Sequence, residues 1–412
     1  MGETTRRTIG AEERRTRLAV RHRLAGAARA GTAEEVAGSL VALHATDPAT
    51  VFLAVGARLA AGHGGGPDPV AEVERALYGE RTLTRMHGMR HTVFVVPSSL
   101  AAVVHSSTAD AASVRERTTL VKHLAAGSAY DAAWLAETER QVLAELAARG
   151  EATGTELGAA VPRLRAQYVY GVGTNQEGPQ SVASRVLRVL GMEGRIVRGR
   201  PQGGWTSSRF RWAPAPPYAE IAPGEAQTEL VRHWLAAYGP ATEADLKWWT
   251  GWKVTDVRRA LTALGAERVA LDEGAGTGTG TGFVLPGDLG PVTPPDEPWA
   301  ALLPALDPTA MGWQSRDWYL DPAHRAALFD RSGNIGPTVW WNGRIVGGWA
   351  QRADGEIVWR LLTDADTNTN TDLGKDAVRA VEAEAARLAA WVGEVRITPR
   401  FRTPLERELA SA

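Results

Sequence analysis

Apolar residues along the chain recur with the spacing of amphipathic helices, and each helical stretch is followed by two short β-favouring runs. The first unit spans residues 11–105, with predicted helices over 12–24, 33–43, 49–59 and 69–77. Thr32 is a predicted N-cap, and Asp47 and Asp68 each precede a proline, as is typical of a helix start. Residues 81–96 have two β-favouring arms that meet near Gly88, which predicts a β-hairpin.

The same order of elements recurs twice more. In the second unit, helices are predicted over residues 131–148, 153–161 and 179–190, and a hairpin leaves Gly194, turns at 201–204 and returns over 205–212. In the third unit, the predicted helices are 227–238, 243–250 and 254–264, and the strands are 268–271 and 282–285. The Gly/Thr-rich tract at 274–282 predicts a mobile loop.

Three successive units of helices followed by a hairpin indicate an α+β protein with three tandem winged-helix domains. The predicted boundaries are 1–125, 126–222 and 223–296, followed by a C-terminal region over 297–412. In that region the pattern predicts strands at 338–341, 344–349, 356–362 and 394–399, and a helix at 375–391. It is therefore expected to be an α+β region or a small β-barrel.

Composition excludes several classes of site. The 412 residues carry a net charge of −1, so a nucleic-acid surface requires local segregation of charge. Cysteine is absent, which excludes disulfides and thiolate chemistry and fits a cytoplasmic protein. No apolar run is long enough to span a membrane, and the histidines are too scattered to indicate a metal site. Glycine pairs lack the lysine and helix of a phosphate loop, so no cofactor is expected.

A compact group of polar residues lies just before the third predicted helix. His44, Thr46 and Asp47 place an imidazole, a hydroxyl and a carboxylate within four positions, a set that can hold and deprotonate a water molecule. Each residue also has an ordinary structural interpretation. Asp47 can be a helix cap, His44 a buried core residue and Thr46 a loop hydroxyl.

Arginine is concentrated in the second hairpin and the helix before it. Residues 177–211 contain two glutamates against seven arginines, namely Arg185, Arg188, Arg195, Arg198, Arg200, Arg209 and Arg211. Arginine suits bidentate contact with phosphates, so we expect this segment to bind DNA; the alternative is a solvated charged hairpin. Arg85, Arg90 and His91 on the first hairpin are further DNA-binding candidates. The 15 tryptophans are more typical of core packing than of base stacking.

Three segments together resemble the bacterial AlkZ-like family of winged-helix DNA glycosylases. The first is Leu-x-x-Leu-His44-Ala45-Thr46, and the second is the hairpin sequence from Arg85 to Thr92. The third begins Leu303-Pro-Ala-Leu-Asp307-Pro, continues through Arg316 to Leu320, and is followed by the tryptophan-flanked segment 341–349. The segments span nearly the whole chain, and their order and spacing are more specific than any one of them.

The resemblance implies a C-shaped array of three winged helices that excises bulky N7-alkylated purines, including antibiotic adducts and crosslinks, from duplex DNA. It also implies a monomer that acts without a cofactor, with His44, Thr46 and Asp47 at the water-binding position. This chain departs from the family pattern there, because the best-known members carry Gln-x-Gln or Gln-x-Asp. A winged-helix transcription regulator and a non-catalytic adduct-binding protein are the alternative functions.

Overall fold

The computed structural model of the protein describes residues 7–60, 66–272, 279–362 and 373–411 and has a mixed α+β architecture. The first unit contains β1 (Thr8–Gly10), α1 (Ala11–Arg21), α2 (Ala33–Leu40), β2 (Leu43–His44), α3 (Pro48–Gly56), α4 (Pro69–Glu74), β3 (Leu83–His87) and β4 (Val93–Pro97). The side chains of Thr32, Asp47 and Asp68 accept hydrogen bonds at the starts of α2, α3 and α4. The three predicted caps are confirmed.

The segment before α3 forms a strand rather than the end of a helix. We predicted a helix over residues 33–43, but α2 ends at Leu40 because Val41 adopts a left-handed backbone conformation with φ 64°. Leu43 and His44 then pair antiparallel with Val95 and Phe94, so the first sheet has the strand order β2-β4-β3. This pairing fixes His44 on the sheet that also carries the first hairpin.

The second unit contains more elements than predicted. They are α5 (Ala101–Val104), α6 (Asp110–Gly127), α7 (Ala132–Arg149), β5 (Ala152–Thr153), α8 (Gly154–Ala160), β6 (Gln167–Tyr170), β7 (Gly178–Ser181), α9 (Val182–Met192), β8 (Ile196–Pro201) and β9 (Phe210–Pro214). The sequence did not predict α5 and α6, and the proposed boundary at residue 125 falls within α6. The helix predicted from residue 179 begins at Val182, because residues 178–181 pair with β6. The returning strand, predicted over 205–212, is Phe210–Pro214.

The loop of the second hairpin is anchored in the body of the protein. Trp205, between β8 and β9, is only 7% exposed. Its ring lies 5.3 Å from Phe52 of α3 and 5.9 Å from Trp391, measured between ring centroids. Because an aromatic side chain buries a large apolar area, this contact holds the second hairpin against the first unit.

The third unit borrows a strand from the N-terminal segment. It contains α10 (Pro223–Tyr238), α11 (Glu243–Thr250), α12 (Val254–Leu264), β10 (Glu267–Asp272) and β11 (Thr279–Val284). β1 pairs parallel with β10, which is antiparallel to β11, and the sequence did not predict this addition. Residues 274–278 of the predicted mobile loop lie outside the described residues, and residues 279–282 of that loop belong to β11.

The C-terminal region is an open sheet with helices and not a closed barrel. Its elements are β12 (Ala300–Leu303), α13 (Arg325–Leu328), β13 (Thr338–Trp341), β14 (Arg344–Gln351), β15 (Ile357–Leu361), α14 (Gly374–Val392) and α15 (Pro404–Ser411), and the strand order is β12-β13-β14-β15. The strand predicted at 394–399 does not form. The side-chain amide of Gln351 instead donates to the Val395 carbonyl and accepts from the Ile397 N–H, which replaces strand pairing.

A buried ion pair fixes α3 against the C-terminal region. Arg58, just after α3, and Asp307 are both fully buried. The Arg58 guanidinium donates to both Asp307 oxygens at 2.7 and 2.9 Å, and to Thr309 and the carbonyls of His22 and Ala54. A buried pair with this many hydrogen bonds is strongly destabilised by loss of one partner. Asp307 of the third resemblance segment is therefore a structural residue that orients α3.

Candidate active site and nucleic-acid interface

The loop from His44 to Asp47 connects the first sheet to the N-terminus of α3. Beyond the His44–Phe94 pair, the Ala45 N–H donates to the Val93 carbonyl at 2.9 Å. Asp47 then caps α3, a helix whose residues from Ala49 to Gly56 are all buried. Both ends of the loop are thus held by backbone contacts, so its side chains are presented in a fixed arrangement.

His44 is a neutral imidazole at physiological pH. The residue is 6% exposed, and its ring centroid lies 4.8 Å from that of Phe94. Burial, reinforced by the positive charge of Arg90, lowers the pKa of His44 to about 3. Its Nδ1 lies 3.5 Å from the Thr46 hydroxyl. A neutral ring beside a hydroxyl can accept a hydrogen bond from water, so the first two candidate residues do come together.

Asp47 is held by backbone groups on both of its oxygens. Oδ1 accepts from the Ala49 N–H at 3.1 Å, which is the predicted cap. Oδ2 accepts from the Arg400 N–H at 2.8 Å, and the Arg400 guanidinium donates to the Thr46 carbonyl at 3.3 Å. Within the described part of the chain, neither oxygen forms a hydrogen bond with His44. Asp47 therefore ties the loop to α3 and to the C-terminal segment.

The turn of the first hairpin brings Arg90 toward His44. Arg90 and His91 have left-handed backbone conformations, with φ of 52° and 59°. The Arg90 guanidinium stacks 4.4 Å from the ring of Trp248 in α11, and Arg316 stacks on the same ring at 4.8 Å. Gly251 allows this approach, since a Cβ there would lie 3.2 Å from the Arg90 Cγ. Residues from the second and third resemblance segments thus meet at Trp248. The His91 side chain, in contrast, is exposed.

Arg85 lies on β3, and in the register of the sheet it is one residue away from the position level with His44. Arg85 is opposite Val95, whereas Phe94 pairs with both His44 and Met86, so Arg85 and His44 project from opposite faces of the sheet. Arg85 is 5% exposed, and its Nε and Nη2 have no hydrogen-bond partner among the described residues.

On the adjacent hairpin, the Arg198 guanidinium stacks 4.3 Å from the ring of Phe210. Burial and the charges of Arg85, Arg400 and Arg188 lower the pKa of Arg198 to about 10.

The remaining candidate arginines of the second unit do not form one uncompensated surface. Arg211 pairs with Glu151 and Glu156 at 3.0 and 3.1 Å, and Arg200 pairs with Glu74. Arg195 lies 3.6 Å from Glu139, and Arg188 lies 3.7 Å from Glu116. Arg185 donates to Gln180 at 3.0 Å, and Arg209 is exposed. Glutamates that are distant in sequence therefore neutralise most of the cluster.

Sequence reasoning missed two residues of the site. Arg400 reaches the loop from more than 350 residues away and carries no local signal. Trp248 is one of the 15 tryptophans that the sequence assigned to core packing, and its position between two guanidiniums depends on the tertiary fold. In the part of the chain that the structure describes, no group of three or more His, Asp and Glu side chains could hold a metal ion. None of the described helices is long and apolar enough to cross a membrane.

Comparisons with known proteins agree on one family. The sequence model of the family described as DNA glycosylase AlkZ-like matches residues 37–391. A curated Streptomyces sahachiroi protein, named interstrand DNA cross-link repair glycosylase, is 31% identical over 192 residues, or 43% of this chain and 46% of that protein. The chain thus matches about half the length of this relative. The solved structure of Streptomyces sahachiroi DNA glycosylase AlkZ covers 95% of this chain and 98% of its own, with a TM-score of 0.66 at 23% identity, which shows a shared fold.

Proposed function

The chain belongs to the AlkZ-like DNA glycosylase family, and from that premise we propose that it is a monofunctional DNA glycosylase for bulky N7-alkylated purines. The substrate is duplex DNA, bound by a monomer whose three units of helices and hairpin act as winged helices. The name of the Streptomyces sahachiroi relative, which specifies interstrand crosslink repair, supports a bulky lesion.

The chemistry required by such a lesion is modest. Alkylation at N7 gives guanine a formal positive charge, so the base leaves readily and the sugar passes through an oxocarbenium-like state. The enzyme must then hold a water molecule next to the anomeric carbon and accept its proton. A strong base is not needed when the sugar already carries most of a positive charge.

His44 is the proposed proton acceptor, and the observation that carries this assignment is its neutral ring on a rigid loop beside Thr46. A pKa of about 3 makes His44 a weak base in the free protein. DNA phosphates approaching Arg90 would oppose the positive charge that contributes to this low pKa, and so would raise it. Thr46 orients the same water, and Asp47 keeps the loop in place.

A non-catalytic function, as an adduct-binding protein or a transcription regulator, is the second candidate. The observation that favours it is that, among the residues that the structure describes, no carboxylate is hydrogen-bonded to His44, and both oxygens of Asp47 accept from backbone N–H groups. Both candidate functions require DNA binding, but only the glycosylase releases a base and leaves an abasic site.

A single-turnover assay separates the two functions. Excess protein is incubated with a duplex carrying one N7-alkylguanine, with either a methyl or a bulky alkyl group. The glycosylase releases the alkylated base, and the strand breaks only after alkali because the enzyme is monofunctional. Tight binding of both duplexes without release of either base would leave the adduct binder or regulator as the function.

A further inference from the structure

A deep cleft separates the two arginine-bearing hairpins. It has a volume of about 480 Å³ and lies between β3 of the first hairpin and β8 of the second. Four arginines line it, namely Arg81, Arg85, Arg198 and Arg200, against one lining carboxylate, Glu151, which pairs with Arg211. The cleft thus carries an excess of positive charge on walls that are otherwise largely apolar.

Arg85 is built into this cleft in an unusual state for a buried arginine. It is 95% buried, yet among the described residues its Nε and Nη2 have no hydrogen-bond partner. These two nitrogens form the edge of the guanidinium whose N–H bonds run in parallel. That edge is the one that takes two oxygens of a phosphate or carboxylate in a bidentate contact.

Arg58 shows how the same chain treats a buried arginine that has a structural role. Arg58 is fully buried and donates to both oxygens of Asp307 as well as to three further oxygens. In contrast, Arg85 and Arg198 have no carboxylate oxygen within 4.0 Å in the described ranges. Because unpaired buried cations are destabilising, an anionic partner is expected from outside the chain.

The neighbourhood of Arg198 narrows the chemistry of that partner. Arg198 and Arg85 line both this cleft and a smaller cavity beside it. The positive charge of Arg400 also reaches Arg198, and Arg400 is bonded to Thr46 and Asp47 of the candidate active-site loop. Two guanidiniums that line one cavity between the hairpins can together bind the oxygens of a tetrahedral phosphoryl group, which duplex DNA presents along its backbone.

We propose that Arg85 and Arg198 together bind one phosphate group of the DNA backbone in the cleft between the two hairpins. This inference rests on the proposed function, since it takes DNA as the partner. It assigns the main phosphate contact to the buried Arg85 and the half-buried Arg198, on separate hairpins, and not to the exposed arginines of the second unit.

The test measures binding of an undamaged duplex oligonucleotide between about 50 and 200 mM salt for wild type, Arg85→Met and Arg198→Ala. Each substitution should weaken binding by about ten- to a hundredfold, the range for one charge-assisted contact. Each should also reduce the slope of log affinity against log salt by about 1. Arg211→Ala, in the same hairpin but paired with two glutamates, is the matched control and should stay within about threefold.

Thermal melting separates a phosphate-binding role of Arg85 from a structural one, because only a structural role predicts a lower melting temperature for Arg85→Met. Arg85→Met should melt at the wild-type temperature or above it, because the substitution replaces an unpaired buried cation with an apolar side chain of similar length. Weaker DNA binding together with retained stability supports the phosphate site. A lower melting temperature with unchanged DNA affinity overturns it and makes Arg85 a structural residue.

Three further outcomes distinguish the possible failures. If wild type binds DNA and both arginine variants bind with wild-type affinity and salt slope, the phosphate site is wrong while the proposed function stands. If wild type binds no DNA at low salt, the proposed function fails. If inorganic phosphate raises the melting temperature of wild type but not of Arg85→Met at matched ionic strength, while DNA affinity is unaffected by the substitution, the cleft takes a free phosphoryl ligand and the DNA assignment is overturned.

Discussion

The two hairpins that carry the candidate DNA-binding arginines differ in how their positive charges are neutralised. In the first hairpin, Arg85 is buried and Arg90 is half-buried, and neither has a carboxylate within 4.0 Å among the described residues; Arg90 instead stacks on Trp248. In the second hairpin, Arg200 and Arg211 pair with glutamates, and Trp205 anchors the loop. Although the second hairpin contains more arginines, more of their positive charges are neutralised by glutamates.

This difference teaches that arginine density along a sequence is a poor measure of a nucleic-acid surface. The glutamates that pair with Arg200 and Arg211 all lie before residues 177–211 in the sequence. They are Glu74, Glu151 and Glu156. Burial without a carboxylate partner is the more informative property, because such a cation is costly in the free protein. Arg85 has this property, and the half-buried Arg198, which also lacks a carboxylate partner among the described residues, lines the same cavity.

The largest effect is expected for a variant that tests whether His44, on the sheet of the first hairpin, takes part in base excision. His44→Ala should slow single-turnover excision of an N7-alkylguanine by about 10²–10⁴-fold, the usual range for a lost general base. DNA affinity should be retained, because His44 is neutral and lies on the sheet face opposite Arg85. The measurement is the rate of abasic-site formation at saturating protein.

A matched histidine variant controls for nonspecific loss. His233→Ala removes a half-exposed histidine of α10 whose Nε2 lies 3.2 Å from Glu229, and this variant should excise at the wild-type rate. Excision by His44→Ala as fast as by wild type would show that the charged base leaves without this residue. The chemistry would then have to be assigned to a different part of the molecule.

The second prediction concerns the anchor of the second hairpin. Trp205→Ala should reduce the free energy of unfolding by about 3–5 kcal/mol, the range for a buried Trp or Phe truncated to alanine. Its ring is packed against both Phe52 and Trp391, which belong to different elements. Trp134→Ala, which removes a partly exposed ring stacked on Tyr130, should cost less. Equal denaturation midpoints for wild type and Trp205→Ala would mean that Trp205 does not anchor the second hairpin to the body of the protein.

Local signals in the sequence predicted local structure well. The N-caps at Thr32, Asp47 and Asp68 depend on one side chain and the next three backbone N–H groups, so the sequence suffices for them. Strands β1 and β2 were not predicted, because a strand of two or three residues is defined by its distant partner. The apparent strand at 394–399 had a suitable pattern but no neighbour, since Gln351 satisfies its backbone.

The candidate site was predictable only in part for the same reason. The sequence placed His44, Thr46 and Asp47 on one loop because they are adjacent. It did not indicate that Arg400 would bond to that loop or that Trp248 would separate Arg90 from Arg316. These contacts join segments more than 60 residues apart, and no periodicity reports on them.

A third prediction uses the buried histidines of the first sheet. Burial lowers the pKa of His44 to about 3 and that of His87 to about 4, from an ordinary value of 6.5. A depressed pKa means that the unfolded chain binds more protons below pH 6.5, so stability is full above that pH and falls as the pH is lowered. At pH 5 each histidine should cost about 2 kcal/mol relative to neutral pH.

Denaturant unfolding at pH 7.5 and pH 5 measures this loss. His44→Gln cannot titrate and should lose about 2 kcal/mol less than wild type between the two pH values. The control His233→Gln, at a half-exposed site, should follow wild type. An identical pH dependence for wild type and His44→Gln would show that the His44 ring is not held neutral by the fold.

The smallest expected effect separates the two tasks of Asp47. Asn is as good an N-cap as Asp, so Asp47→Asn keeps the acceptor for the Ala49 N–H. Its amide group then faces the Arg400 N–H, donor against donor, and the tie to the C-terminal segment is lost. We expect unfolding free energy to fall by about 1–2 kcal/mol, the cost of one unsatisfied buried group, and excision to slow by no more than about tenfold, equivalent to about 1.4 kcal/mol. A rate loss of a thousandfold at an unchanged melting temperature would instead make Asp47 a participant in the reaction, because a residue that only positions the loop cannot affect catalysis that strongly while leaving stability intact.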